Sequence, residues 1–292
     1  RCMNRYNQIE EKADLGFAPD SSFPLTYAEK GLLQVKLHGP GWEDRPLQAG
    51  RALNVVPDKA TYKGDRLEEV LPVIEQSGVK YSEEAGAVTV LGLSKHSKDA
   101  AEGVNAIVGL AESLSLIQPH PALLFIADAV GEDATGAALF GEINDEPSGA
   151  LSFNIATLSI DEQQSEIGID IRIPVLADKE ALVKRLSEVA ASYQLQYEEF
   201  DYVAPLYVPL DSPLVSTLMA VYQEETGDQT PAMSSGGATF ARTMENCVAY
   251  GALFPDALQT EHQANERAKL DDLYRAMEIY AETIRRLAAK EA

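Results

Sequence analysis

Cysteine is scarce: Cys2 and Cys247 are the only 2 in 292 residues, and no Cys-x-x-Cys spacing occurs. That excludes a disulfide scaffold and a thiolate zinc site, and it fits a reducing, cytoplasmic compartment. Positive charge is scarce too. Against 46 Asp and Glu stand 24 Lys and Arg, a formal net charge of -22 at pH 7. Such a surface repels phosphate backbones and anionic lipid, which argues against a nucleic-acid or membrane partner. Long apolar runs are missing: residues 122–127 are ended by Asp128, far short of the roughly 20 residues that span a bilayer. The Gly236-Gly237 pair lacks the G-x-G-x-x-G and G-x-x-x-x-G-K-[ST] spacings, so nothing points to a nucleotide. What is present is 45% hydrophobic content over a length that suggests about two domains with a substantial core. The sequence opens on Arg1 and is silent about any targeting segment.

Apolar periodicity lays out the elements. Leu33, Val35 and Leu37 alternate as a half-buried strand should, and residues 52–57 read as a second short strand closed by proline. Residues 66–76 read as a helix ending at Gly78, and residues 87–93 as a strand. Residues 103–116 read as a helix with Val104, Ile107, Val108, Ala111 and Leu114 on one face. The second half repeats that order, with strands at 151–160 and 166–175 around a polar turn, a helix opening at Asp178 or Lys179 with Leu182, Val183, Leu186 and Val189 inward, and a closing strand at 195–203. Two copies of strand-strand-helix-strand suggest a duplicated mixed sheet with helices on one face. Past Pro213 come a helix stopping at Gly227, a small-residue run at 234–238 and a buried strand at 247–254. The last helix sets Leu270, Leu273, Met277, Tyr280, Ile284 and Leu287 along one core-facing stripe, too short for a coiled coil.

Taken singly, the polar candidates are ambiguous. Asp20 in a Pro-Asp-Ser-Ser turn reads as a turn former or helix cap. His96 sits in a loop before a helix, and His262 alone reads as a surface or hydrogen-bonded group. Arg172 puts a cation on the opposite face of an alternating isoleucine strand, equally a cross-strand salt bridge or a guanidinium fork for a carboxylate. Gly236 and Gly237 mark a loop whose backbone a ligand could approach closely.

Taken together, the flanking residues resemble one family. The segments are Leu15-Gly16-Phe17-Ala18-Pro19-Asp20-Ser21-Ser22-Phe23-Pro24 and Glu261-His262-Gln263-Ala264-Asn265-Glu266. Between them lie Leu53-Asn54-Val55-Val56-Pro57, Lys95-His96-Ser97 followed by Gly103-Val104-Asn105-Ala106, Asp170-Ile171-Arg172-Ile173-Pro174, and Gly236-Gly237-Ala238-Thr239-Phe240-Ala241-Arg242. In this order they resemble the M20 zinc peptidases, and the PepV-like dipeptidases in particular, nearly from end to end. Ala100-Ala101 stand where relatives usually carry a proline, and Ala238 and Phe240 replace a glycine and a tyrosine of the family loop.

The resemblance implies an α/β protein: an incomplete catalytic domain from residues 1–27 and 209–292, and an inserted α+β lid, residues 28–208, made of two similar strand-strand-helix-strand halves. It implies a zinc-dependent dipeptidase acting through metal-activated water, with two Zn²⁺ per site and Mn²⁺ or Co²⁺ as substitutes. A metal pair about 3.5–4 Å apart needs a bridging carboxylate and terminal ligands. Asp20 and His262 would be terminal ligands. Relatives carry the other ligands and the catalytic glutamate upstream of the position matching Arg1, so the chain as written is expected to be inactive alone. His96 would stabilise the oxyanion; Asn54, Arg172, Gly236 and Gly237 would bind the dipeptide, and the lid would close over it. A monomer is expected, with a dimer as the alternative. Hydrolysis of N-acyl amino acids and non-catalytic peptide binding are the rival functions.

Overall fold

The computed structural model describes residues 2–258, 260 and 265–289. The chain divides into two compact units, one formed by Gly31–Val203 and the other by Arg1–Lys30 with Ala204–Ala292.

The unit Gly31–Val203 contains strands β1 (Gly31–Pro40), β2 (Leu47–Ala49) and β3 (Lys59–Tyr62), helix α1 (Leu67–Ser77), strands β4 (Tyr81–Glu84) and β5 (Ala87–Leu91), and helix α2 (Ala106–Ser115). Strands β6 (Ser152–Ile160) and β7 (Gln164–Ile173), helix α3 (Lys179–Ser192) and strand β8 (Gln196–Val203) follow, with short helical and strand segments between α2 and β6. Five strands form one sheet in the order β8-β1-β7-β6-β2, every pair antiparallel. A separate antiparallel sheet has the order β3-β5-β4.

This topology corrects the expected repeat. The second copy is present in order as β6, β7, α3, β8, but the first is not, and apart from the edge strand β2 the large sheet is built by two strand-helix-strand passes, β1-α2-β6 and β7-α3-β8, in an antiparallel sheet rather than a mixed one. Periodicity identifies a strand but not its neighbours: Leu33 of β1 lies opposite both Ile171 and Tyr202, which come from the other half of the unit. Residues 52–57 are not a strand; only Val55 makes an isolated bridge, to His96. The helix expected from residue 103 starts at Ala106, because the Asn105 side chain accepts from the Ile107 and Val108 amides and caps it, leaving Val104 exposed.

Alternation gives the sheet two chemically distinct faces. Leu33, Val35 and Leu37 lie opposite Ile171, Ile169 and Ile167, and these join Ile107, Leu110 and Leu114 of α2 and Leu182 and Leu186 of α3 in one core. Each such side chain contributes about 1.5–3 kcal/mol when fully buried. The other face carries Gln34, Lys36 and His38 of β1 with Glu166, Asp170 and Arg172 of β7.

The second unit holds a mixed sheet. Thr26–Glu29 pairs antiparallel with Leu206–Tyr207 and Cys247–Ala249 and parallel with Met233–Ser235, while Gly16–Ala18 runs parallel to Cys247–Ala249. Helix Pro213–Thr226 opens on a Ser212 cap and stops at Gly227 in the left-handed conformation. Aromatic rings form its core: Phe23 lies 4.6 Å from Phe254, 5.2 Å from Tyr250 and 5.3 Å from Tyr222, centroid to centroid. The buried strand expected over 247–254 is two pieces, Cys247–Ala249 and Ala252–Leu253, interrupted at Gly251, whose φ is 73°. The last helix, Leu270–Ala288, buries Ala276, Ile279 and Thr283, whereas Leu270, Leu273, Met277 and Ile284 of the expected stripe are exposed. Among the described residues no helix is long and apolar enough to cross a membrane.

Candidate functional site

In the unit Gly31–Val203, Asn54 and His96 belong to two loops held edge to edge. Val55 and His96 form an antiparallel bridge, with the Ser97 N–H donating to the Asn54 carbonyl at 2.9 Å and the Val56 N–H to the Lys95 carbonyl at 2.8 Å. Both Asn54 and His96 are exposed, whereas Ser97 and Asn154, which tie their loops down, are buried. Asn154 of β6, 1% exposed, donates through Nδ2 to Ser97 Oγ at 2.8 Å and to the Val55 carbonyl at 3.0 Å. Ser97 Oγ donates to the Leu53 carbonyl at 3.0 Å, and Ser152 Oγ donates to the Ser97 carbonyl. Asn154 Oδ1 in turn accepts from Asn105 Nδ2 at 3.1 Å, the residue that caps α2. Each buried polar group named has a partner, as burial requires.

The bonding fixes the chemistry of His96. Its Nδ1 accepts the Lys98 N–H at 3.1 Å, which leaves the proton of the neutral ring on Nε2. Partial desolvation, more than any charge, holds its pKa below the ordinary 6.5, with the Arg172 cation adding to the effect. At pH 7 the residue is therefore a neutral Nε2–H donor in a fixed orientation, a group able to stabilise a developing oxyanion.

Arg172 is buried beside this cluster. Its Nε donates to Asp170 Oδ1 at 2.6 Å and its Nη2 to Asp170 Oδ2 at 3.1 Å, and Gln34 Nε2 donates to Asp170 Oδ2 at 3.1 Å. The register puts Arg172 opposite Ser152 and Asp170 opposite Asn154. One sheet face thus brings Asn54, His96 and Arg172 into one neighbourhood. Sequence reading missed Asn154 and Asp170. Asp170 shares the face of Arg172 at a spacing of two residues, a usable signal; Asn154 is one of several polar residues in β6, with Ser152, Thr157 and Ser159, and carries no such signal.

In the second unit, the Gly236-Gly237 loop is tied down by a buried ion pair that sequence reading also missed. Glu29 accepts from Arg242 Nε at 3.0 Å, from the Thr239 amide at 3.0 Å and from Thr239 Oγ1 at 2.6 Å. Arg242 Nη2 donates to the Gly237 carbonyl at 2.8 Å, and the Gly237 amide donates to Ser235 Oγ at 2.9 Å. The Gly237 amide is therefore already engaged rather than presented to a ligand. Asp20 is exposed on the rim of a cavity of about 600 Å³ that Ser21, Leu253, Lys269 and Asp272 also line. His262 lies outside the described residues. Among the described residues no group of three or more His, Cys, Asp or Glu side chains could hold a metal ion. Asp20 alone does not fit a metal pair.

Residues 26–286 match peptidase family M20/M25/M40, and the chain belongs to that family. It is 34% identical to the "Putative dipeptidase YtjP" of Bacillus subtilis over 311 residues, covering 99% of this chain and 66% of that protein. A second protein named a dipeptidase in the same way, from Staphylococcus saprophyticus, is 29% identical, covering 100% of this chain and 67% of its own length. The chain thus spans about two thirds of these relatives. The crystal structure of aminoacylhistidine dipeptidase from Vibrio alginolyticus matches with a TM-score of 0.50 and 13% identity, over 97% of this chain and 66% of that one, a likeness of fold alone.

Proposed function

We propose that the whole protein is a zinc-dependent dipeptidase. The unit Gly31–Val203 acts as its lid, with His96 as oxyanion donor and Asn54 and Arg172 as substrate ligands. The other unit belongs to the catalytic domain, with the loop at Gly236 and Gly237 contacting substrate and Asp20 and His262 as metal ligands. A metal pair needs more donors than these two, and we assign the rest, with the general base, to sequence that this chain does not contain.

One observation supports this reading above the others. Asn54 and His96, 42 residues apart in sequence, are fixed side by side by a buried network, and His96 is held as a neutral donor near a buried arginine. Ordinary loops have no need of that order. A guanidinium locked by Asp170 is pre-organised to take the C-terminal carboxylate of a dipeptide, and selection at the substrate's ends would exclude longer peptides.

The test is hydrolysis of a dipeptide panel by the full-length protein with Zn²⁺ or Mn²⁺. Cleavage abolished by chelator and by His262→Ala, with kcat falling about 10²–10³-fold on His96→Ala, is the expected result. A folded, metal-loaded protein that leaves dipeptides intact but cleaves N-acyl amino acids, or that binds peptides without cleaving them, overturns it.

A further inference from the structure

We propose that Asn154 is the positioning residue of this site, the side chain that sets Asn54 and His96 in register with each other. The inference rests on the substrate-facing reading of those two residues but goes beyond it, because Asn154 itself is buried beneath both loops.

One carboxamide serves both loops. Nδ2 of Asn154 donates to the Val55 carbonyl on the Asn54 loop, at 3.0 Å, and to Ser97 Oγ on the His96 loop, at 2.8 Å. The opposite end, Oδ1, is held by Asn105 Nδ2 at 3.1 Å, and Asn105 is fixed in turn by the Ile155 carbonyl at 2.7 Å and by capping α2. The carboxamide is thereby clamped to the most deeply packed helix of the unit, whose Ile107, Leu110, Ala111 and Leu114 are fully buried. The loops also meet directly, through the Ser97 N–H to the Asn54 carbonyl, the Val56 N–H to the Lys95 carbonyl and Ser97 Oγ to the Leu53 carbonyl, but that bridge is isolated and residues 52–57 form no strand, so Asn154 is the group that ties both loops at once to the sheet beneath them. An apolar residue at 154 would leave Asn105 Nδ2 short of one partner and the Val55 carbonyl and Ser97 Oγ without their donor. Displacing a reacting group by about 1 Å costs on the order of a hundredfold in rate.

The experiment follows the imidazole resonances of the full-length protein by NMR across pH, with His96 assigned through His96→Gln, alongside kcat and KM on a dipeptide. His96 is sensitive to its loop because Arg172, Asp170, Lys98 and Asp99 all face it and its desolvation depends on the loop's closeness. His120 is the internal control, being buried in the same unit and bonded to the Pro40 carbonyl and the Ala122 amide rather than to either loop. In Asn154→Ala the His96 titration is expected to move up toward that of an ordinary histidine while His120 stays put. In the same variant kcat should fall on the order of tenfold to a hundredfold with a smaller change in KM. Unchanged His96 titration and unchanged kcat overturn the proposal. If His120 is disturbed as well, the variant is misfolded and Asn154→Leu decides, since it fills the space of the side chain while donating to neither loop: a shift of His96 alone supports the proposal, and no shift overturns it. A wild-type protein that cleaves no dipeptide while His96 still responds to Asn154→Ala would sink the dipeptidase reading and leave the positioning role standing.

Discussion

Asp170 and Arg172 are 0% and 5% exposed at their side chains and joined by two charge-assisted hydrogen bonds, so each offsets much of the cost of burying the other. Asp170→Ala is expected to cost about 3–5 kcal/mol, read as a lowered urea midpoint, because it removes the carboxylate that pairs with a buried guanidinium. Arg172→Lys keeps the charge and loses the fork; under the proposed dipeptidase function, a rise in KM for dipeptides larger than the fall in kcat is the expected pattern. Histidines make a second residue-scale prediction. His120 donates from Nε2 to the Pro40 carbonyl at 3.1 Å and accepts the Ala122 amide on Nδ1 at 3.2 Å, an arrangement available only to the neutral ring. Burial lowers its pKa, as desolvation lowers that of His96. Both groups bind fewer protons folded than unfolded between their folded values and the ordinary 6.5, so stability rises with pH through that window and is lost as pH falls from about 6.5. Urea melts at stepped pH should show this loss, reduced in His120→Gln. A flat profile between pH 7 and 5 would contradict it.

Elements inherit their limits from caps and faces. Asn105→Ala removes the α2 cap and leaves Asn154 Oδ1 and the Ile155 carbonyl unpaired, for an expected loss near the upper end of about 0.5–2 kcal/mol in thermal or urea melts, with more if the orphaned groups stay dry. On the last helix, Ile279→Ala should cost about 2–5 kcal/mol while Met277→Ala stays within about 0.5 kcal/mol, because only Ile279 is buried. That contrast shows where sequence reading ran out. The helix was plain from its spacing, yet its core-facing stripe was assigned to its larger apolar residues, whereas Ala276 and Thr283 flank Ile279 inward. The strands β1, β7 and β8 and helices α1 and α3 were legible from alternation, from the Asp178 cap and from Gly78 in the left-handed conformation. Pairing was not, since β1 takes both neighbours from residues more than a hundred positions away. The candidate site shows the same division: Asn54, His96 and Arg172 stand in recognisable local runs, but Asn154 and Glu29 act through partners that only the fold brings near.

At the scale of the whole molecule, the unit Gly31–Val203 is an insertion whose two ends meet. Val203 pairs with Leu32 across β8 and β1, so the chain leaves this unit on the strand next to the one by which it entered. Such an insert needs no closing contact from outside: its core runs from Leu33 to Leu195, and both strand-helix-strand passes lie within it. Gly31–Val203 expressed alone is therefore expected to fold, giving a single cooperative urea transition and dispersed amide resonances. Ile169→Ala should destabilise it by about 2–5 kcal/mol, which distinguishes a packed core from a collapsed one. Desolvation is the main cause of the lowered titration of His96, with Arg172 and Lys98 lowering it further and Asp170 and Asp99 opposing; all four charges belong to this unit, and the lowering is expected to survive excision. If the excised unit folds but His96 titrates as an ordinary histidine, then the desolvation that sets its chemistry comes from elsewhere in the protein, and the unit carries the residues of the site without its electrostatics.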